Sequence, residues 1–200
     1  MSVEVIPITP TLRVRIEYDE DGANPRTEFD NVGKIAYWDR SRYVLGDEPM
    51  SREELDELGV KIAKGELIGV PVYAYIHSGV VLKACEANPF SCRLDSGQSG
   101  FVYCTKEKAV TEWGNKVVTP KVREKALAYL KGEVETYSAY LGGECYGYVV
   151  ERVVLDEDGD EVGVEVLDSC WGYLADLPYC REMAVQAAAN FVEEDCAEPA

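Results

Sequence analysis

The sequence predicts an α+β fold, a single globular unit built on a mostly antiparallel sheet with about four flanking helices. Three observations carry this expectation. Apolar runs of strand length recur in adjacent stretches with turn residues between them, so neighbouring strands should meet through hairpins. Helical patterns interrupt these runs without the regular strand–helix–strand rhythm that a parallel sheet needs. A chain of 200 residues that is 46% hydrophobic can bury one substantial core.

Leu12 to Asp19 alternates apolar and polar residues and is followed by the turn-rich DEDGANP, which reads as a half-buried strand and a loop. Gly33 to Asp39 reads as its partner, making residues 1–50 an N-terminal hairpin or meander. Ser51 with Glu54 forms a capping box, and Leu55, Leu58 and Ile62 recur at helical spacing, so a helix runs from Ser51 to Lys64. Residues 51–196 then form the central sheet-and-helix core, with 197–200 a frayed tail. In the stretch Val70 to Cys104, PVYAYI and VVLKAC read as a strand pair turning at His77-Ser78-Gly79. A polar loop, NPFSCRLDSGQSG, leads to a short third strand, FVYC.

Thr105 caps a short helix, KEKAVTEW, that stops at Gly114 and Asn115. Thr119 before Pro120 is an N-cap and first-turn pair opening the longest helix, which runs to Gly142-Gly143. Its apolar stripe is Val122, Ala126, Tyr129, Leu130, Val134, Tyr137 and Leu141, and Gly132 inside it marks a break or a close approach. Cys145 to Asp156 and Gly163 to Asp168 are strands joined by EDGDE, whose Asp-Gly suits a hairpin turn. YCREMAVQAAANFVEE forms the closing helix.

Thirty-seven acidic against twenty basic side chains give a net charge of −17, which argues against direct binding of nucleic acid and for a basic partner. No twenty-residue apolar run and no signal-peptide pattern occur, so neither a membrane span nor export is expected. Seven cysteines without C-x-x-C spacing read as free thiols in a reducing compartment. With one histidine in the chain, zinc ligation through Cys85, Cys92 and Cys104 finds little support, and no metal or cofactor is expected.

The basic residues gather between Lys106 and Lys131. The acids gather elsewhere. Glu151, Asp156, Glu157, Asp158, Asp160, Glu161, Glu165 and Asp168 crowd the last hairpin, and Glu193, Glu194, Asp195 and Glu198 crowd the terminus. Strand alternation places Glu161 and Glu165 on one side, where with the turn they would form a negative ridge that steers a basic partner. The Asp156, Asp158, Asp160 spacing is not an EF-hand, because Glu161 stands where glycine is required and Leu167 where glutamate is. DSGQSG lacks the lysine of a P-loop.

One constellation suits thiol chemistry: Cys170 as nucleophile, His77 as base, Asp95 to orient it and Gln98 to donate to an oxyanion. The order His, Asp, Cys resembles that of the adenovirus-protease and SUMO-protease group, and DSCWG resembles the SCW of papain-type enzymes. That group places its oxyanion glutamine just before the cysteine, whereas Gln98 lies far upstream.

A broader resemblance joins PVYAYIHSG, PFSC followed by DSGQSGFVY, TKEKA, GEVETYSAYLGGECYGYVV and LDSCWGY, from Val70 to Tyr173. Together these phrases resemble a family of tailed-bacteriophage and mobile-element proteins with no assigned reaction. The resemblance implies action in the cytoplasm of an infected bacterial host. Combined with the acidity, it leads to an accessory protein that binds and inhibits a basic, nucleic-acid-handling host protein, as anti-restriction and anti-CRISPR inhibitors do, with DNA mimicry as its strongest form. The alternatives are a cysteine hydrolase using Cys170 and His77, and a virion structural or assembly protein.

Overall fold

The structure, a computed structural model, describes residues 2–192. In chain order its elements are β1 (Ser2–Pro7), β2 (Leu12–Tyr18), a single helical turn α1 (Pro25–Glu28), β3 (Lys34–Trp38), β4 (Glu48–Met50), α2 (Arg52–Ala63), β5 (Leu67–Ile76), β6 (Val80–Ala84), β7 (Ser96–Thr105), α3 (Lys106–Glu112), α4 (Pro120–Leu141), β8 (Cys145–Leu155), β9 (Glu161–Leu174) and α5 (Leu177–Ala189). The class is α+β with two mostly antiparallel sheets. By internal contacts the chain divides into two compact units, Met1–Ala23 with Gly143–Ala200, and Asn24–Gly142. The acidic terminal residues Glu193, Glu194, Asp195 and Glu198, and the tail at 197–200, lie outside the described residues.

The first unit is a four-stranded sheet of order β1-β2-β8-β9 under one helix, α5. Leu12, Val14 and Ile16 of β2 are fully buried and alternate with Arg13, Arg15 and Glu17, so the strand's period-2 pattern is realised. Its neighbours, however, are β1 and β8, not the segment around β3. The N-terminal SVEVIP, which carries little apolar alternation, is recruited as the hairpin partner instead. Cys180, Ala184 and Ala188 of α5 recur every fourth residue, and their small side chains seat the helix on Tyr148 and Val150. β9 extends through SCWGYL, longer than the GVEVLD strand expected. Register shifts in the β8–β9 pairing absorb the extra residues.

The opposite face of this sheet carries an ion-pair ladder. Glu151, 1% exposed, accepts from Arg13 Nε at 3.1 Å and from Arg15 Nε and Nη2 at 3.0 and 2.6 Å. Arg13 also grips both oxygens of Glu161 at 2.9 Å, and Arg15 pairs with Glu17. Burial alone would raise the Glu151 carboxyl, but the hydrogen bonds from Arg15 and Arg13, with their charges, outweigh it and hold the pKa below the ordinary glutamate value.

The second unit is a five-stranded sheet of order β4-β3-β7-β5-β6 between two helices. Only β3 and β4 run parallel. On one face Val122, Ala126, Leu130, Val134 and Tyr137 of α4 pack with Val70, Val72, Leu82 and Val102. Tyr129, placed in the same stripe by spacing, is instead 48% exposed. On the other face Leu55 and Leu58 of α2 meet Ala36, with Ile62, Phe101 and Tyr103 beside them. The capping box of α2 is formed, Ser51 Oγ accepting from Glu54 N and Glu54 accepting from Ser51 N. Ser96–Gly100, expected as loop, belongs to β7, because β5 extends far enough to pair with it down to Tyr75↔Ser96. α4 runs unbroken through Gly132, and a Cβ there would meet nothing within 4 Å.

Two outcomes follow from this packing. Gly132→Ala removes a helix-interior glycine that neither crowding nor backbone conformation requires, so denaturant unfolding should show a gain of about 0.5–1 kcal/mol. For Glu151 the folded pKa lies below the unfolded one, so its stabilisation is complete above the unfolded pKa and disappears as pH falls through the folded value. Glu151→Gln should therefore be less stable than wild type by roughly 3–5 kcal/mol at pH 7, with the gap closing below about pH 4. Comparing the two proteins at each pH cancels the background from the many exposed acids.

Candidate functional site

His77 sits in the β5–β6 turn, where its N–H donates to Gly79 O at 3.2 Å. The imidazole is 67% exposed, stacks on Tyr75 with ring centroids 6.4 Å apart, and places Nδ1 3.3 Å from Asp95 Oδ2. Tyr75 in turn meets Phe90 at 5.6 Å, so the 85–95 loop folds back against the strand end. Inside that loop Ser96 Oγ donates to Cys92 O at 2.6 Å, and Asn88 Nδ2 donates to Ser96 Oγ at 3.1 Å. The expected His77–Asp95 pair is thus present, held by local hydrogen bonds and aromatic contact.

The thiol beside that pair is Cys92, whose Sγ donates to Asp95 Oδ2 at 3.3 Å. Sequence order pointed to Cys170, but Cys170 belongs to the first unit and His77, Asp95 and Gln98 to the second. Cys170 lies opposite Tyr148 on β9, exposed, with its Sγ 3.9 Å from Trp171 O. Gln98 is two positions further along β7 than Ser96, opposite Tyr73, with its amide donating to Gly100 O at 3.4 Å. The signal for Cys92 was its place three residues before Asp95 in one loop.

Chemically, the Cys92 trio is not arranged for nucleophilic catalysis. An imidazole base must stand between thiol and acid to take the thiol proton and be oriented by the carboxylate. Here the carboxylate stands in the middle and one oxygen faces both groups. The remaining thiols have other surroundings. Cys85 donates to Ala87 O at 3.0 Å, while burial pushes Cys104 and Cys180 up to about 11, protonated at neutral pH. Among the described residues no group of three or more His, Cys, Asp and Glu side chains is placed to hold a metal ion.

The acids of the last hairpin divide into three groups. Glu151 is buried within the arginine ladder and Glu161 is gripped by Arg13, so neither is a free surface charge. Asp156 folds its own turn, accepting from Asp158 N at 3.0 Å and Asp160 N at 2.9 Å, with Gly159 at φ +86°. Glu157, Asp158 and Asp160 project from the hairpin end with no ion partner among the described residues, and Asp168 is exposed further along β9. Glu161 and Glu165 do not share a side. The register shift between Val154 and Leu155 puts Glu161 opposite Leu155 and Glu165 opposite Arg152, which fall on opposite faces of β8. Glu165 bonds Arg152 at 3.2 Å while Glu161 faces Arg13, so the expected single ridge is not formed.

Around these acids the apolar side chains are also exposed. Val162, Val164 and Val166 on β9 are 61%, 44% and 59% exposed, and β9 is an edge strand over its fourteen residues. A long edge with exposed valines is a ready surface for another chain. In the second unit, a groove of about 620 Å³ runs along α4 between Phe29, Trp113 and Tyr129, with Gly132 in its wall.

Alkylation tests the thiol assignment directly. With iodoacetamide and mass spectrometry, exposed Cys170 should react readily, while Cys104 and Cys180 should react only after unfolding. His77→Ala should leave the Cys92 rate within about twofold of wild type, since the Asp95 carboxylate and not the imidazole faces its thiol.

The chain matches no family model, no curated protein and no solved structure.

Proposed function

We propose that this chain is a non-enzymatic binding protein whose β8–β9 hairpin docks on a basic surface of a nucleic-acid-handling host protein. The observation that carries the reading is the hairpin end, where Glu157, Asp158 and Asp160, with no ion partner among the described residues, stand beside exposed valines on a chain of net charge −17. Acids steer and orient a basic partner, and the valines supply apolar area to bury on contact. The resemblance of the Val70 to Tyr173 phrases to phage-encoded proteins supports the cytoplasm of an infected bacterium as the setting, and inhibition of a host defence protein as the purpose. Because Glu161 and Glu165 point to opposite faces and both have arginine partners, docking by the hairpin end is favoured over a duplex-like row of charges.

Immobilised protein should capture from bacterial lysate a nucleic-acid-binding protein that is released by competing duplex DNA and by about 0.5 M salt. The variant combining Glu157→Gln, Asp158→Asn and Asp160→Asn should slow association by about tenfold or more at low salt while leaving the unfolding midpoint unchanged. Capture that DNA does not displace, or that the triple variant retains in full, would sink the reading.

A further inference from the structure

Several positive side chains of this acidic chain gather at a concave surface of the second unit. A cleft of about 670 Å³ opens in the second unit between α3, the 114–119 loop and the start of α4, within the size range of small-ligand sites. Lys106 from α3, Lys116 from the loop and Arg123 from α4 line it, with Glu107 the acid among its lining residues. The side chains of these three cations have no hydrogen bond or ion pair among the described residues. Three bases to one acid inverts the ratio of the whole chain, where acids number 37 and bases 20.

We infer that this cleft binds a small multivalent oxyanion, that is, a phosphorylated small molecule, through Lys106, Lys116 and Arg123. Three side chains from three separate segments carry the charge. Arg123 is half-buried and lines the cleft, and its guanidinium offers planar, paired donors that match phosphate oxygens. It also stands in the first turn of α4, which has no acidic residue there. A cation at that position is opposed by the helix dipole, whereas a bound anion there is favoured by both the dipole and the cation. Val110, Val117 and Pro120 add apolar wall, and Val117 is 65% exposed, leaving area for an organic portion to cover.

Size separates this ligand from nucleic acid. An extended polyanion would feel the repulsion of the net −17 beyond the cleft, while a compact anion inside it is within about one Debye length of the three cations that line it. The inference is independent of the hairpin and of any protein partner.

Calorimetric titration of the full chain with inorganic pyrophosphate tests it. Saturable one-to-one binding is expected, weakened about fivefold or more by Lys116→Ala or Arg123→Ala and further by the pair, with partial retention in Arg123→Lys. Lys131→Ala, on the same helix but outside the cleft, should bind as wild type, and thermal unfolding of each variant confirms that the fold is kept. Absence of saturable binding would overturn the assignment. So would equal weakening by Lys131→Ala, which would signify diffuse surface attraction. A short oligonucleotide binding more tightly than pyrophosphate would overturn the small-ligand class.

Discussion

The second unit depends on one buried arginine. Arg26, its side chain 4% exposed, donates to Asp47 through Nε and Nη2 at 2.9 and 2.6 Å, and through Nη1 to Asn31 and Glu133 at 2.8 and 3.1 Å. Its Nη2 also donates to Gly33 O at 2.7 Å, so every N–H position of the guanidinium has an acceptor. The acceptors are themselves engaged. Glu133 of α4 takes Val32 N at 2.6 Å, and Asp47 takes Ile35 N at 2.7 Å. One side chain thereby ties α1, the start of β3, the segment before β4 and the middle of α4. A charge this deep is tolerable only when fully paired. Losing a single partner of such a network typically costs 3–5 kcal/mol, a large part of the roughly 5–15 kcal/mol that holds a domain folded. Gly33 belongs to the same constraint, because a Cβ there would lie 2.1 Å from Leu130 Cδ2.

The first unit uses the same chemistry to a different end. Arg13, Arg15 and Glu151 neutralise one another across β2 and β8, so the most buried acid of the last hairpin serves the sheet and not its surface. What remains outside is a short acidic tip and an apolar edge. Net charge alone would have treated all of these acids as equivalent. Hydrogen bonding separates structural carboxylates from those with no ion partner among the described residues, and Glu157, Asp158 and Asp160 at the hairpin end are of the second kind.

The two proposed binding surfaces are of opposite sign, an acidic hairpin in one unit and a cationic cleft in the other. The His77 loop, which concentrates the histidine, two thiols and an acid, is a self-bonded loop end in which Asp95 anchors both His77 and Cys92. Its chemistry is that of a folded turn. Spacing in the chain brought residues of catalytic type together there, but catalysis requires an order in space that one carboxylate oxygen facing two donors does not supply.

The sequence by itself determined the features whose causes lie within a few residues. The capping box at Ser51, the Thr119-Pro120 start of α4, the β5–β6 turn at His77 and the Asp-Gly turn before β9 were all legible, because caps and turns are local hydrogen-bond problems. So was the α+β class. Tertiary structure alone decided that β2 pairs with β8 across most of the chain, that β3 joins the other sheet, and that SVEVIP becomes a strand. Strand partners are chosen by burial between distant segments, which alternation cannot rank. It also decided which thiol meets Asp95 and which acids are free. A register shift of one residue moves Glu161 to the face opposite Glu165, and an arginine thirteen positions from the N-terminus silences Glu151. Side-chain facing and charge pairing are properties of the assembled sheet, and only the assembled sheet reveals them.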